Sequence, residues 1–118
     1  MWNSISPKTN DWIKNNSKDA DYVFSICTGA FILADNGLLD SLEATTHSAG
    51  IDILERNYPA IKKVHSDKRF VDNGKYITSA GVSAGIDASF YLISKILGKD
   101  WAQAAATSLE YSRYPPKN

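Results

Sequence analysis

The chain's one cysteine, Cys27, sits in the run Ser25-Ile26-Cys27-Thr28-Gly29, between a β-like segment and a helix-like one. A thiolate is an intrinsically strong nucleophile, so what flanks it decides whether it does chemistry. Residues 21–26 are aromatic and β-branched, the composition of a buried strand. Residues 28–36 are predicted to form a short apolar helix closed by Gly37. A strand turning sharply into a helix exposes the residue at the turn, and small neighbours two places away, Ser25 and Gly29, let the two elements approach as in a nucleophile elbow. Free N–H groups at the start of a helix favour the thiolate form. The backbone N–H groups of Thr28 and Gly29 are placed to bind an anion developing on a substrate.

The elements that must position Cys27 follow from pattern. A polar surface helix is expected over residues 7–20, with Pro7 in its first turn. The strand before Cys27 follows, and then a short strand over 43–46 ending at His47. Residues 51–57 read as a helix stopped before Pro59. Residues 69–78 read as a hairpin whose Asn73-Gly74 pair fills both left-handed positions of a type I′ turn. A helix over 82–97 carries Ile86, Phe90, Ile93 and Leu97 at three-to-four spacing and stops at Gly98. A last helix is expected over 100–111. Strands alternating with helices give an α/β class, a largely parallel sheet with one antiparallel hairpin. Loops at the carboxyl ends of such strands carry function. Cys27, His47 and residues 79–81 each follow a predicted strand, so all three are expected to converge.

The order of four motifs is more specific. Ser-Ile-Cys-Thr-Gly-Ala (25–30), Gly-Leu-Leu-Asp (37–40), Ala-Thr-Thr-His (44–47) and Thr-Ser-Ala-Gly-Val-Ser-Ala-Gly-Ile-Asp (78–87) occur in that sequence. With them the chain resembles the DJ-1/PfpI superfamily, nearest the branch holding isonitrile hydratases and the ligand domains of AraC-type regulators. The resemblance covers residues 12–116. It implies a flavodoxin-like three-layer α/β sandwich, commonly dimeric, with Cys27 as the elbow cysteine, Thr28 facing the substrate, and His47 as the histidine that follows the Thr-Thr pair. For an isonitrile hydratase, it implies cysteine attack on the terminal carbon of R–N≡C and water addition to give an N-substituted formamide.

Three departures qualify that implication. Thr28 stands where protease-like members have histidine, which argues against a Cys-His peptidase. Ser48 stands where tryptophan is common in the hydratase branch. The family's leading β-α unit, which brings an Asp or Glu to the cysteine, has no counterpart before Cys27. One partial domain, residues 1–118, is therefore expected, N-terminally truncated, with exposed strand edges and an apolar helix face. The missing acid predicts impaired catalysis. His47 is then either its substitute or a structural cap, and His65 an ordinary surface or strand-end residue. Asp40, Glu43 and Asp87 read as structural. The other functional readings are a ligand-sensing domain without catalysis and a redox sensor at Cys27.

Composition sets the remaining bounds. The 118 residues are 43% hydrophobic and 22% charged, and thirteen basic residues balance thirteen acidic ones. No nucleic-acid or membrane-binding charge pattern is present, and the Lys62-Lys63 and Lys68-Arg69 pairs read as solvated. A single cysteine excludes an internal disulfide. No signal-peptide core occurs in residues 1–7. A cytoplasmic protein acting on a small molecule is expected, as a homodimer or with a partner completing the sheet. No zinc spacing, Walker loop or dinucleotide fingerprint occurs, so no metal or cofactor is expected.

Overall fold

The computed structural model describes residues 5–118; part of the 1–7 stretch read for a signal core lies outside them. Helix α1 (Pro7–Asp19) begins as its sequence dictates, with the Ser6 Oγ accepting from the Thr9 N–H at 3.2 Å and Pro7 in the first turn. Strand β1 (Val23–Ile26) leads into a 3₁₀ turn over Cys27–Gly29 and then α2 (Ala30–Asp35). The expected single helix over 28–36 is thus split, because the chain must turn at Cys27 before an α-helix can start. Its end is as expected: the Gly37 N–H bonds to Ala34 O at 3.0 Å and the Leu38 N–H to Leu33 O at 3.0 Å, a Schellman closure.

Two small strands, β2 (Glu43–Ala44) and β3 (Lys63–Val64), pair in parallel, with α3 (Ile51–Asn57) between them in sequence. Strand β2 is shorter than the predicted 43–46. Side chains replace the ladder there: the Thr45 N–H donates to Thr78 Oγ1 at 2.9 Å, and Thr45 Oγ1 donates to His65 O at 2.8 Å. A second sheet has the order β1-β5-β4, with β4 (Phe70–Asp72) antiparallel to β5 (Tyr76–Ser79) and β1 parallel to β5. Two of the three strand pairs are parallel, as the α/β class requires.

The hairpin turn differs from expectation. Asn73 and Tyr76 close it, since the Asn73 N–H bonds to Tyr76 O at 3.0 Å, so the two loop residues are Gly74 and Lys75. Of the turn residues only Gly74 has positive φ, 96°, which excludes a type I′ turn and suits glycine at the first loop position. Asn73 acts across the sheets instead. Its amide accepts from the Glu43 N–H at 3.1 Å and donates to Glu43 O at 2.7 Å, pairing with β2 as a strand residue would.

Helices α4 (Val82–Leu97) and α5 (Lys99–Ser108) complete the order, α5 starting and ending a little earlier than predicted. Val23 and Tyr76 pack on the core formed by Phe31, Leu33, Leu39, Leu54, Ile61 and neighbours, the α2–α3 side. Alternation along the strand sends Phe24 and Ile26 to the other face, where α4 lies. The face that α4 buries is made of Ala84, Gly85, Asp87, Ala88 and Phe90. Ile86 and Leu97 of the predicted apolar stripe are instead exposed, together with Val82 and Ile96. The far edge of β1 has no strand partner among the described residues. The exposed strand edge and helix face that the sequence led us to expect are therefore both present. No described helix is long and apolar enough to cross a membrane.

Candidate functional site

Cys27 has φ 60°, a left-handed value that an L-residue with a β-carbon adopts at a cost of about 1–2 kcal/mol. Hydrogen bonds on both sides of the residue hold it there. Its N–H donates to Ala80 O at 3.2 Å, and its carbonyl accepts from Thr46 Oγ1 at 2.8 Å. The first bond continues the pairing of β1 with β5; the second arrives from the segment after β2. Cys27 is half-buried and Thr28 exposed, so the turn faces solvent.

Gly29 is less constrained than its spacing suggested. A β-carbon there would meet the Ser25 Cβ at 3.5 Å, an ordinary contact. Ser25 is the more unusual neighbour, a buried residue whose Oγ has no hydrogen-bond partner among the described residues.

His47 caps the 3₁₀ turn Ser48–Gly50, its Nδ1 accepting from the Ala49 N–H at 3.0 Å. The neutral ring therefore carries its hydrogen on Nε2, where it donates and cannot accept. The capping role, one of the two readings of His47, is thus present in the structure. The ring lies against Gly81, where a β-carbon would stand 2.7 Å from its Cδ2. Only glycine leaves room for the imidazole at that point. The three segments expected to meet do so: Cys27 touches Thr46 and Ala80, and the next residues of those two segments, His47 and Gly81, touch each other. No hydrogen bond joins Cys27 to His47 or to any carboxylate among the described residues.

The other titratable residues build structure. His65 stands at a strand end, directly after β3, as one of its two readings had it; the surface reading is corrected, since the residue is 7% exposed and its Nε2 lies 2.6 Å from Glu43 Oε1. That bond, with the positive charges of Lys62 and Lys63, holds the Glu43 carboxyl below its usual range against a smaller opposing effect of burial. Asp87, 1% exposed, accepts from Arg69 Nε at 2.7 Å and from the Tyr111 hydroxyl. Arg69, read as half of a solvated pair, is thereby drawn into the structure. Among the described residues no group of three or more His, Cys, Asp or Glu side chains could hold a metal. The sequence reading passed over Thr46 as an individual residue. Its signal was the buried Thr-Thr pair immediately before His47.

A parallel-strand α/β fold with a cysteine in left-handed conformation at a strand-to-helix turn defines the structural class. The match of residues 3–95 to the DJ-1/PfpI family model makes it specific, and the chain belongs to the DJ-1/PfpI family. It is 38% identical to the isonitrile hydratase of Pseudomonas putida over 109 residues, covering 92% of this chain and 46% of that protein. It is 30% identical to the HTH-type transcriptional regulator CdhR of Pseudomonas aeruginosa over 97% of this chain and 33% of the regulator. A THiJ/PfpI family protein from Pseudomonas syringae superposes with TM-score 0.81 and 31% identity, over 96% of this chain and 45% of the other. Drosophila melanogaster DJ-1beta shares the fold, with TM-score 0.74 and 19% identity over 91% of this chain and 55% of its own. The chain spans less than half the length of the curated relatives it matches.

Proposed function

We propose that the chain is one partial domain, residues 1–118, carrying the nucleophile portion of an isonitrile-hydratase-like site, a lyase-type activity on a small molecule. The observation that supports this best is the left-handed backbone of Cys27, held from both sides at the end of β1, the geometry of a nucleophile elbow. Cys27 is the attacking group, Thr28 and Gly29 offer backbone N–H groups to the substrate, and the Nε2–H of His47 is a neighbouring donor. The Cys27 sulfur bonds to the terminal carbon of R–N≡C, and a proton goes to that same carbon, giving a thioimidate, R–N=CH–S–Cys27. Water then adds to the carbon, the C–S bond breaks, and R–NH–CHO leaves as the thiol regains its proton.

Each proton movement needs a donor within hydrogen-bond reach. No carboxyl group among the described residues is so placed, and His47, engaged through Nδ1 as a cap, offers only its weakly acidic Nε2–H. Turnover by the 118-residue chain is therefore slow, and a carboxylic acid brought to Cys27 from outside the described residues speeds it. The same account gives the open β1 edge and apolar α4 face a partner, either further β-α structure or a second copy completing the sheet. Neither nucleic acid nor membrane has a place in this reading, and the protein works in the cytoplasm. Incubation with an alkyl isonitrile, with the formamide followed by NMR, tests the activity. Slow formamide release that Cys27→Ser abolishes is expected; equal release by both proteins refutes the role of Cys27.

A second reading is favoured by the regulator match, which runs along nearly all of this chain: a ligand-sensing domain without catalysis. Melting-temperature shifts with small metabolites that persist in Cys27→Ala would establish it. An isonitrile effect lost in Cys27→Ala would count against it.

A further inference from the structure

Of the two bonds that hold the Cys27 peptide, one comes from a backbone carbonyl and the other from a side chain. The Ala80 carbonyl cannot be removed by substitution, whereas the Thr46 hydroxyl can. Thr46 is 1% exposed, so its hydroxyl has no access to bulk water and depends on the Cys27 carbonyl for its hydrogen bond. Without that bond the carbonyl of a strained residue loses its anchor, and the peptide is free to rotate toward an ordinary right-handed conformation. Rotation about φ would swing the Cα–Cβ bond, and the sulfur with it, away from its present direction. Thr46 also directly precedes His47, so its bond ties the segment that carries the imidazole to the turn that carries the thiol.

We propose that Thr46 is a positioning residue for Cys27: its Oγ1–H···O=C bond holds the cysteine at φ 60° and so aims the sulfur. This deepens the functional reading above and rests on Cys27 being the nucleophile. Because Cys27 is the only cysteine in the chain, alkylation by iodoacetamide reports on this sulfur alone.

Thr46→Val keeps the shape and removes the hydroxyl; Thr46→Ser keeps the hydroxyl and removes a methyl. The rate constant for Cys27 alkylation falls about fivefold in Thr46→Val, the equivalent of one lost hydrogen bond. It stays within about twofold of wild type in Thr46→Ser. The pH dependence of the rate changes in the valine variant and is restored in the serine one. Wild-type rate and pH dependence in Thr46→Val overturn the assignment, as does an equal loss in both variants, which would make packing rather than the hydroxyl responsible. Should Thr46→Val not fold by circular dichroism, Thr46→Ala takes its place. If neither folds while Thr46→Ser does, Thr46 is a residue of the fold and the assignment is again wrong. The underlying reading fails separately: wild-type Cys27 would then react no faster than the same chain unfolded in urea.

Discussion

The two edges of the β1-β5-β4 sheet are finished in opposite ways. At the β4 edge the chain supplies its own cover. The Asn118 side chain accepts from the Arg69 and Phe70 N–H groups at 2.8 and 3.0 Å and donates to Phe70 O at 2.6 Å, pairing with the strand as another strand would. Tyr111 and Tyr114 pack on Phe90 with ring centroids 5.1 and 5.9 Å away, and Asp87 ties Arg69 to Tyr111. At the β1 edge nothing described pairs with the strand. Phe24 instead shares an apolar groove of about 340 Å³ with Leu92, Ile93, Ile96 and Leu97 of α4. An edge closed by a side-chain amide and a buried carboxylate is stable by itself; an edge flanked by exposed isoleucine and leucine is an invitation to a further element. Cys27 stands at the carboxyl end of the open strand, so whatever covers that edge also borders the candidate site.

If the closed edge depends on Asp87, the largest effect comes from its removal. Asp87→Ala removes the carboxylate that accepts from the Arg69 guanidinium and the Tyr111 hydroxyl, leaving Arg69 its bond to Ser83 Oγ, and urea denaturation should show a loss of about 3 kcal/mol for the two charge-assisted bonds. A loss below about 0.5 kcal/mol would mean the network is ornamental. Asn118→Ala removes three bonds near solvent and is expected to cost about 1 kcal/mol by the same method. On the open side the sign of interest changes. Ile96→Lys, at a residue 54% exposed, should alter stability by less than about 0.5 kcal/mol. Where a second copy covers the groove, it should nevertheless reduce self-association in sedimentation velocity. A large destabilisation there would show that the α4 face is already packed, and the contrast between the edges would collapse.

The smallest effect lies between the sheets. Glu43 titrates below its usual range in the folded chain, first because of its bond to His65. A carboxyl depressed on folding adds stability above its unfolded pKa, and loses it as pH falls through the folded value. The urea midpoint of wild type should therefore exceed that of Glu43→Gln near neutral pH, and the gap should close in acid. A gap independent of pH would mean that the Glu43–His65 bond contributes nothing that depends on the carboxylate charge.

How much of this could be read in the sequence depended on whether a local rule decided the outcome. The bounds of α4 and the glycine closure of α2 were legible, because caps and periodicity are local. The meeting of the segments that carry Cys27, His47 and Gly81 was legible from strand ends, since parallel α/β topology gathers them on one side. The face that α4 buries was not. Its small residues Ala84, Gly85 and Ala88 allow close packing on the sheet, while Leu92, Ile93, Ile96 and Leu97 line the open groove, and the apolar stripe alone could not separate the two. Nor was the burial of His65 legible, since its partner Glu43 lies on another strand, 22 residues away. Asn73 misled for a similar reason: its amide bonds to β2 as well as to its own turn.

The proposed reaction has the Cys27 sulfur attack carbon in a small electrophile of the isonitrile class, at a turn with no carboxyl group in hydrogen-bond reach among the described residues. Intact-mass spectrometry of the 118-residue chain after brief exposure to an alkyl isonitrile tests it directly. The account predicts that the chain gains the mass of one isonitrile molecule, localised to Cys27 and absent in Cys27→Ser. An unmodified wild-type chain that releases no formamide, or an adduct that persists in Cys27→Ser, would contradict it.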